Sequence, residues 1–232
     1  MLINNVDISA FNAKLLKVDI QNSSYSNNSN WSLKNINPVF IENYYTFKKI
    51  RIELLFNDEN RERNLLNISN LMSLLKREVI LKIDGYKNYY KCILSEDETI
   101  KTPSLYVYKK DLIFLGYEYG KDITELMNRI ANKTINISGN LETPAILEVI
   151  PSIDLIDLII NGLDEEPIIL KNLKANKKII VNGEDGTVTV DGVNKYSDTD
   201  MWGFPRLKPG ANTITVSKNN VDITIKYKPR YI

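Results

Sequence analysis

The chain has no histidine, which removes the commonest general base near neutral pH, the Ser-His and Cys-His nucleophile pairs and the usual catalytic zinc sites. Much hydrolytic chemistry goes with it. A single cysteine, Cys92, excludes an intramolecular disulfide and points to assembly in a reducing cytoplasm. Eight prolines and ten glycines are too few for a collagenous or linker-like chain. Nothing reaches the ~18 uninterrupted apolar residues a membrane helix needs. The opening Met1-Leu2-Ile3-Asn4-Asn5-Val6-Asp7-Ile8 lacks the basic flank and apolar stretch of an export signal. Excess charge is also missing: 30 Lys and Arg against 29 Asp and Glu leave +1, so no global field draws in nucleic acid or an anionic membrane.

What is present is strand-forming. The chain carries 31 Ile, 28 Asn and 23 Lys but only 6 Ala, a bias towards strands and polar turns that an AT-rich genome also produces. Its 232 residues, 43% hydrophobic and 25% charged, suit a folded chain of one large or two modest domains. Residues 13–20 and 50–56 alternate apolar and polar with period two, the latter placing Ile50, Ile52, Leu54 and Phe56 on one side. Between them, residues 21–30 are polar without periodicity and read as a flexible loop. Asn57 or Asp58 can cap a helix whose apolar residues Leu65, Ile68, Leu71, Met72 and Leu75 recur every three or four positions, ending near Lys76-Arg77. Residues 79–94 read as a hairpin closed by a type I′ turn at Asp84-Gly85, and residues 104–119 supply at least one further strand. Asp122-Ile123-Thr124-Glu125 has capping-box spacing for a short helix.

After Gly139 the pattern changes to about seven short apolar segments: 145–150, 153–160, 168–173, 178–181, 187–190, 213–217 and 221–227. Asn161-Gly162, Asn182-Gly183, Asp185-Gly186 and Asp191-Gly192 mark turns. The expected class is therefore mainly β. An N-terminal β-sandwich or barrel-like domain with one or two helices spans residues 1–138, and a C-terminal jelly-roll or galectin-like β-sandwich spans 139–232, with the boundary near 138–144.

Chemistry-bearing residues are sparse. Asp198-Thr199-Asp200 beside Trp202 is the most suggestive cluster, since two carboxylates at i and i+2 can share a hard cation, but a full calcium site needs six or more oxygens; a polar turn is the better reading. Asp154 and Asp157 cannot share a face of an ideal strand. Asp58 and Glu59 with Arg63 read as helix-dipole and local ion-pair contacts. Cys92, within an alternating strand, reads as a buried inert thiol. No Gly-rich phosphate loop is present. The tyrosines at 44–45, 86–90 and 106–119 suit cross-strand packing or a protein interface better than base stacking. The expectation is thus no catalytic residue, no cofactor and no metal.

The last thirty residues are the most distinctive: Trp202-Gly203-Phe204-Pro205-Arg206-Leu207-Lys208-Pro209-Gly210-Ala211-Asn212, then a closing strand stopped by Pro229-Arg230-Tyr231. This stretch resembles the distal tail protein (Dit) family of long-tailed phages of Gram-positive hosts, in which Phe-Pro-x-Leu-x-Pro-Gly-x-Asn precedes the final hairpin and a Pro-Arg-aromatic ending is common. Gly139-Asn140-Leu141-Glu142-Thr143-Pro144-Ala145 resembles that family's junction into its second domain, and Asp191-Gly192-Val193-Asn194 a turn that follows. The resemblance implies a ring-forming N-terminal domain, a galectin-like or carbohydrate-module-like C-terminal sandwich, and a baseplate hub. It further implies a homo-oligomer, a hexameric ring, contacting the tail tube protein and the tail tip, a tail-associated lysin or receptor-binding proteins. Such a part resides in the virion and assembles in the host bacterial cytoplasm, with neither nucleic-acid binding nor membrane insertion. A phage-tail-like bacteriocin would use an equivalent part. The alternative is a carbohydrate-binding module that recognises host wall glycans through exposed aromatics of the C-terminal sandwich, Trp202 or Tyr196. Against it stands the expectation that Trp202 and Phe204 plug the core at the last turn.

Overall fold

The computed structural model describes residues 1–30 and 39–232. Contacts divide the chain into two compact units, Met1–Tyr119 (with Ile232) and Gly120–Tyr231. Both are built mainly of antiparallel strands.

In the first unit one sheet runs in the order Val6–Asp7, Leu2–Ile3, Val79–Lys82, Tyr89–Lys101, Val107–Tyr119, Lys48–Asn57, Ala13–Gln21. Its centre follows the alternation of the sequence: Ile50, Ile52, Leu54 and Phe56 are all fully buried on one face, each contributing about 1.5–3 kcal/mol relative to exposure. Leu112 and Phe114 of the neighbouring strand complete that face. Irregular register between Leu15 and Lys17 and between Leu94 and Glu96 introduces bulges that bend long strands and increase their twist. Gly116 stands opposite Cys92; a Cβ on Gly116 would lie 2.4 Å from the Cys92 Cβ, so glycine is what admits the thiol.

The helix Arg61–Leu74 covers this core with Leu71, followed by its C-cap Leu75, while Ile68 and Met72 pack at its margin. Its cap is Asn60, whose Oδ1 accepts from the Arg63 N–H at 3.1 Å, not Asn57 or Asp58. Asp58 instead accepts from the Asn60 N–H, fixing the turn that precedes the cap. Leu65 remains exposed although it has core spacing. The Asp84-Gly85 turn is not type I′, because only Gly85 has positive φ there and type I′ requires it at both central residues. Asp191 and Gly192 do meet that requirement, between the paired residues Val190 and Val193. Residues 21–30 are not wholly loop: Tyr25–Asn30 pairs with Val39–Tyr45 in a separate two-stranded sheet.

The second unit is a sandwich of two sheets around one core. One sheet runs Ile123–Asn128, Val221–Tyr227, Thr143–Pro151, Ile179–Asn182, Thr187–Val190, Val193–Asn194; the other runs Asn132–Ile137, Gly210–Val216, Leu155–Asn161, Ile168–Leu173, Thr199–Asp200. Leu147, Val149, Ile223 and Ile225 from the first sheet meet Leu158, Ile160, Leu170 and Ile214 from the second in a continuous cluster. All seven apolar segments after Gly139 are strands of this unit.

By its contacts the second unit begins at Gly120, earlier in the chain than the boundary expected near 138–144. Asp122-Ile123-Thr124-Glu125 starts no helix: Ile123–Asn128 is a strand registered against Val221–Tyr227, and Asn132–Ile137 pairs with Gly210–Val216. Cross-strand partners late in the chain override the local capping-box spacing.

Candidate functional site

Four sequence segments far apart in the chain converge at one place in the second unit. Thr143 and Pro144 are registered against Leu207 and Arg206. The Ala145 N–H donates to the Pro205 carbonyl at 2.9 Å, and the Gly183 N–H donates to the Ala145 carbonyl at 2.9 Å. The Arg230 carbonyl accepts from the Asn140 and Leu141 N–H groups, while the Arg230 N–H donates to Thr143 Oγ1. The junction at 140–145, the Pro205–Leu207 stretch and Arg230, which carry most of the resemblance, are therefore one interlocked piece of backbone.

Leu207, Gly210 and Asn212 of the Phe-Pro-x-Leu-x-Pro-Gly-x-Asn stretch each have a structural task here. Leu207 enters the core. Gly210 takes φ +86°, which glycine adopts without the Cβ clash of other residues. Asn212, buried, closes the turn from both sides: its Oδ1 accepts from the Lys208 N–H at 2.9 Å, and its Nδ2 donates to the Lys208 carbonyl at 2.7 Å and the Gly210 carbonyl at 3.0 Å. Satisfying these buried backbone groups is what the amide side chain supplies.

Above this scaffold lies a cleft of about 450 Å³ lined by Trp202, Phe204, Arg206, Glu142, Glu184 and neighbouring backbone. Trp202 does not plug the core; its side chain is 91% exposed. Only Phe204 packs against the core, because Pro205 and Leu207 anchor the chain inward and leave the preceding Trp202-Gly203 pair outside. Tyr196 neighbours Phe204, ring centroids 6.0 Å apart, and does not line the cleft. The structure thus does not join Trp202 and Tyr196 in this cleft. Arg206 is held by Asp164 at 3.1 Å and Glu142 at 3.5 Å. A Cβ on Gly203 would lie 2.2 Å from Asp164 Oδ2, so the glycine makes room for that ion pair. Sequence reasoning missed Glu142, Asp164, Glu184 and Arg206 as a group, since only folding brings their four segments together.

The carboxylates considered as ligands are occupied by cations. Asp198 pairs with Lys195 and accepts from Asn172 Nδ2 at 3.0 Å; the lysine hydrogen bond first, then that of Asn172, holds its carboxyl below the usual range. Asp200 pairs with Lys171 and Asp154 with Lys174, while Asp157 pairs with Lys218. The cluster is a polar turn in this structure, and among the described residues no group of three or more His, Cys, Asp or Glu is placed to hold a metal ion. In the first unit, Cys92 is buried and its thiol is pushed up to about 12, chiefly by that burial, leaving almost no thiolate at neutral pH. Tyrosines pair across strands as expected: Tyr89 stacks on Tyr119 at 5.6 Å and Tyr25 meets Tyr45 at 5.3 Å. Among the described residues no helix is long and apolar enough to cross a membrane.

The class that fold and site define is a two-unit, mainly β chain whose distinctive residues shape backbone. Residues 138–231 match the family of siphovirus-type tail components, C-terminal domain. The whole chain has the fold of the SPP1 Dit (gp 19.1) protein, described as a hub adsorption apparatus of Gram-positive-infecting phages: TM-score 0.81 at 13% identity, covering 100% of this chain and 98% of that one. It also resembles chains in the phage P2 baseplate in its activated conformation with Ca, and likewise with Sr, each with TM-score 0.54 at 14% identity over 95% of this chain and 92% of the other. No curated protein sequence matches this chain.

Proposed function

We propose that the protein is a non-enzymatic distal tail component: a ring, of six subunits, that joins a tail tube to the tail tip or host-adsorption apparatus. The observation that carries this reading is the correspondence with SPP1 Dit along both whole chains, alongside the tail-component domain at 138–231. The first unit is the ring former in this proposal. Its strand Ala13–Gln21 is hydrogen-bonded to Lys48–Asn57 on one side and ends the sheet on the other, and such an edge is a template for a neighbour's strand. A head-to-tail contact of this kind either closes into a ring or grows into a filament, and a net charge of +1 opposes the packing of several copies very little. The second unit, a galectin-like sandwich in this proposal, docks the tail tip, a tail-associated lysin or receptor-binding proteins. The protein would reside in the virion after assembly in the host cytoplasm.

Light scattering on the full chain and on residues 1–119 tests the ring. The expected result is one defined hexameric mass for both. A monomer in both at tens of micromolar overturns the proposal, and a ring that forms only with the second unit present moves the interface there.

A further inference from the structure

We propose that the cleft between Trp202 and Glu184 binds a neutral sugar ring. Trp202, at 91% exposure, offers its indole face to solvent on the lip of a cleft whose volume, about 450 Å³, falls in the range of small-molecule sites, roughly 300–1,000 Å³. A pyranose carries an apolar C–H face bordered by hydroxyls, so it needs one flat apolar surface and a set of both donors and acceptors around it. The cleft has that composition: the Trp202 ring, guanidinium donors on Arg206 and Arg230, and carboxylate acceptors on Glu142 and Glu184. Two positive groups against two negative ones leave its lining with no net charge, which favours neither a phosphate polymer nor a quaternary ammonium group.

The walls are set before any ligand arrives. Arg206 is clamped by Asp164 and Glu142, and the Pro205 carbonyl holds the chain beside Trp202 against Ala145. Gly183 approaches so closely that a Cβ there would lie 2.2 Å from the Pro205 oxygen. The Glu184 carboxylate, which is exposed, has no partner among the described residues, so it is free to accept from a hydroxyl. Such fixed walls cut the ordering cost of binding. Tryptophan and arginine also favour protein contacts, but this lining is predominantly polar and its only large apolar side chains are Trp202 and Phe204, which suits a small polyol ring better than a desolvated protein anchor.

The test uses the full chain carrying Trp31→Phe, so that Trp202 is its one indole, and reads binding whatever the state of assembly. Fluorescence and calorimetric titrations employ maltose, galactose and N-acetylglucosamine oligomers, a purified neutral wall polysaccharide, and glycerol phosphate and choline as charged probes. The expected result is a saturable spectral shift with a neutral saccharide. Calorimetry should show that binding lost in Trp202→Ala and weakened about tenfold or more in Glu184→Gln, the loss of one charge-assisted hydrogen bond. No response to any neutral saccharide overturns the proposal, as does a response to the charged probes alone or heat of binding that survives in Trp202→Ala. A Trp202→Ala chain whose oligomeric mass falls while saccharides give no signal overturns it in favour of a protein contact.

Discussion

Lys226 places its ammonium 2.5 Å from Glu148 Oε1 across the central strands of the second unit. With Lys178 at 3.0 Å on the other side, Glu148 is held below the ordinary glutamate range, the Lys226 hydrogen bond being the largest cause and that of Lys178 opposing burial with it. A carboxyl whose folded value is depressed contributes stability that is present above its unfolded value, about 4.3, and is lost as pH falls through the folded value. Melting temperature should therefore fall as the pH drops below that point. Glu148→Gln should lower it at pH 7 and flatten part of the acid slope, leaving the share due to Asp154 and Asp198, which are also depressed. An acid slope unchanged in Glu148→Gln counts against this assignment.

A second expectation concerns the unit boundary. Residues 120–231 should unfold cooperatively as an isolated all-β fragment, because both sheets and their common core lie within that span. A fragment starting at 139 loses Ile123–Asn128 and Asn132–Ile137, strips Met127, Ile135 and Ile137 from the core and opens two sheet edges. Thermal scans should show it less stable and more prone to aggregate; equal stability of the two fragments would return the boundary to 138–144.

Within the cleft, two residues should differ sharply in their response to alanine. Gly183→Ala puts a Cβ 2.2 Å from the Pro205 oxygen and 2.7 Å from the Ala145 oxygen, so it should cost about 1–3 kcal/mol or more. Trp202→Ala, at an exposed position, should change stability by no more than about 0.5 kcal/mol. Denaturant midpoints at constant slope measure both.

Cys92 should resist iodoacetamide at pH 8 in the native protein and react on unfolding, since burial raises its thiol to about 12. Native-state labelling at the rate of a free thiol would show that the strand Tyr89–Lys101 opens readily.

What the sequence discloses follows the physics that acts locally. The strand through Ile50, Ile52, Leu54 and Phe56 is legible because one buried face imposes period two, and the seven segments after Gly139 are legible because turn residues bracket each. Ile123–Asn128 is not, since an Asp-x-x-Glu spacing is compatible with a helix and only pairing with Val221–Tyr227 decides otherwise. Tyr25–Asn30 is equally opaque, being polar throughout. The interlocked motif residues were visible as a resemblance, yet the direction of Trp202 was not: Trp-Gly-Phe-Pro is apolar as a string, and the inward anchoring of Pro205 and Leu207 determines which aromatic turns outward. Arg206 with Asp164 and Glu142 had no signal along the chain, because the ion pairs join segments far apart in sequence.

The position of Val221–Tyr227 between Ile123–Asn128 and Thr143–Pro151 sets the order in which this unit can be completed. A ribosome delivers that strand after every other long strand of the sandwich, and synthesis exposes earlier segments first. Until it emerges, both flanking strands lack the partner that lies between them in the finished sheet, and the apolar faces of Leu147, Val149 and Met127 have no Ile223 or Ile225 to meet. Closure of the sandwich is thus a late event in the life of the nascent chain. A message truncated upstream of codon 221 yields a product with open sheet edges, which proteolysis reaches more readily than it reaches the completed sandwich.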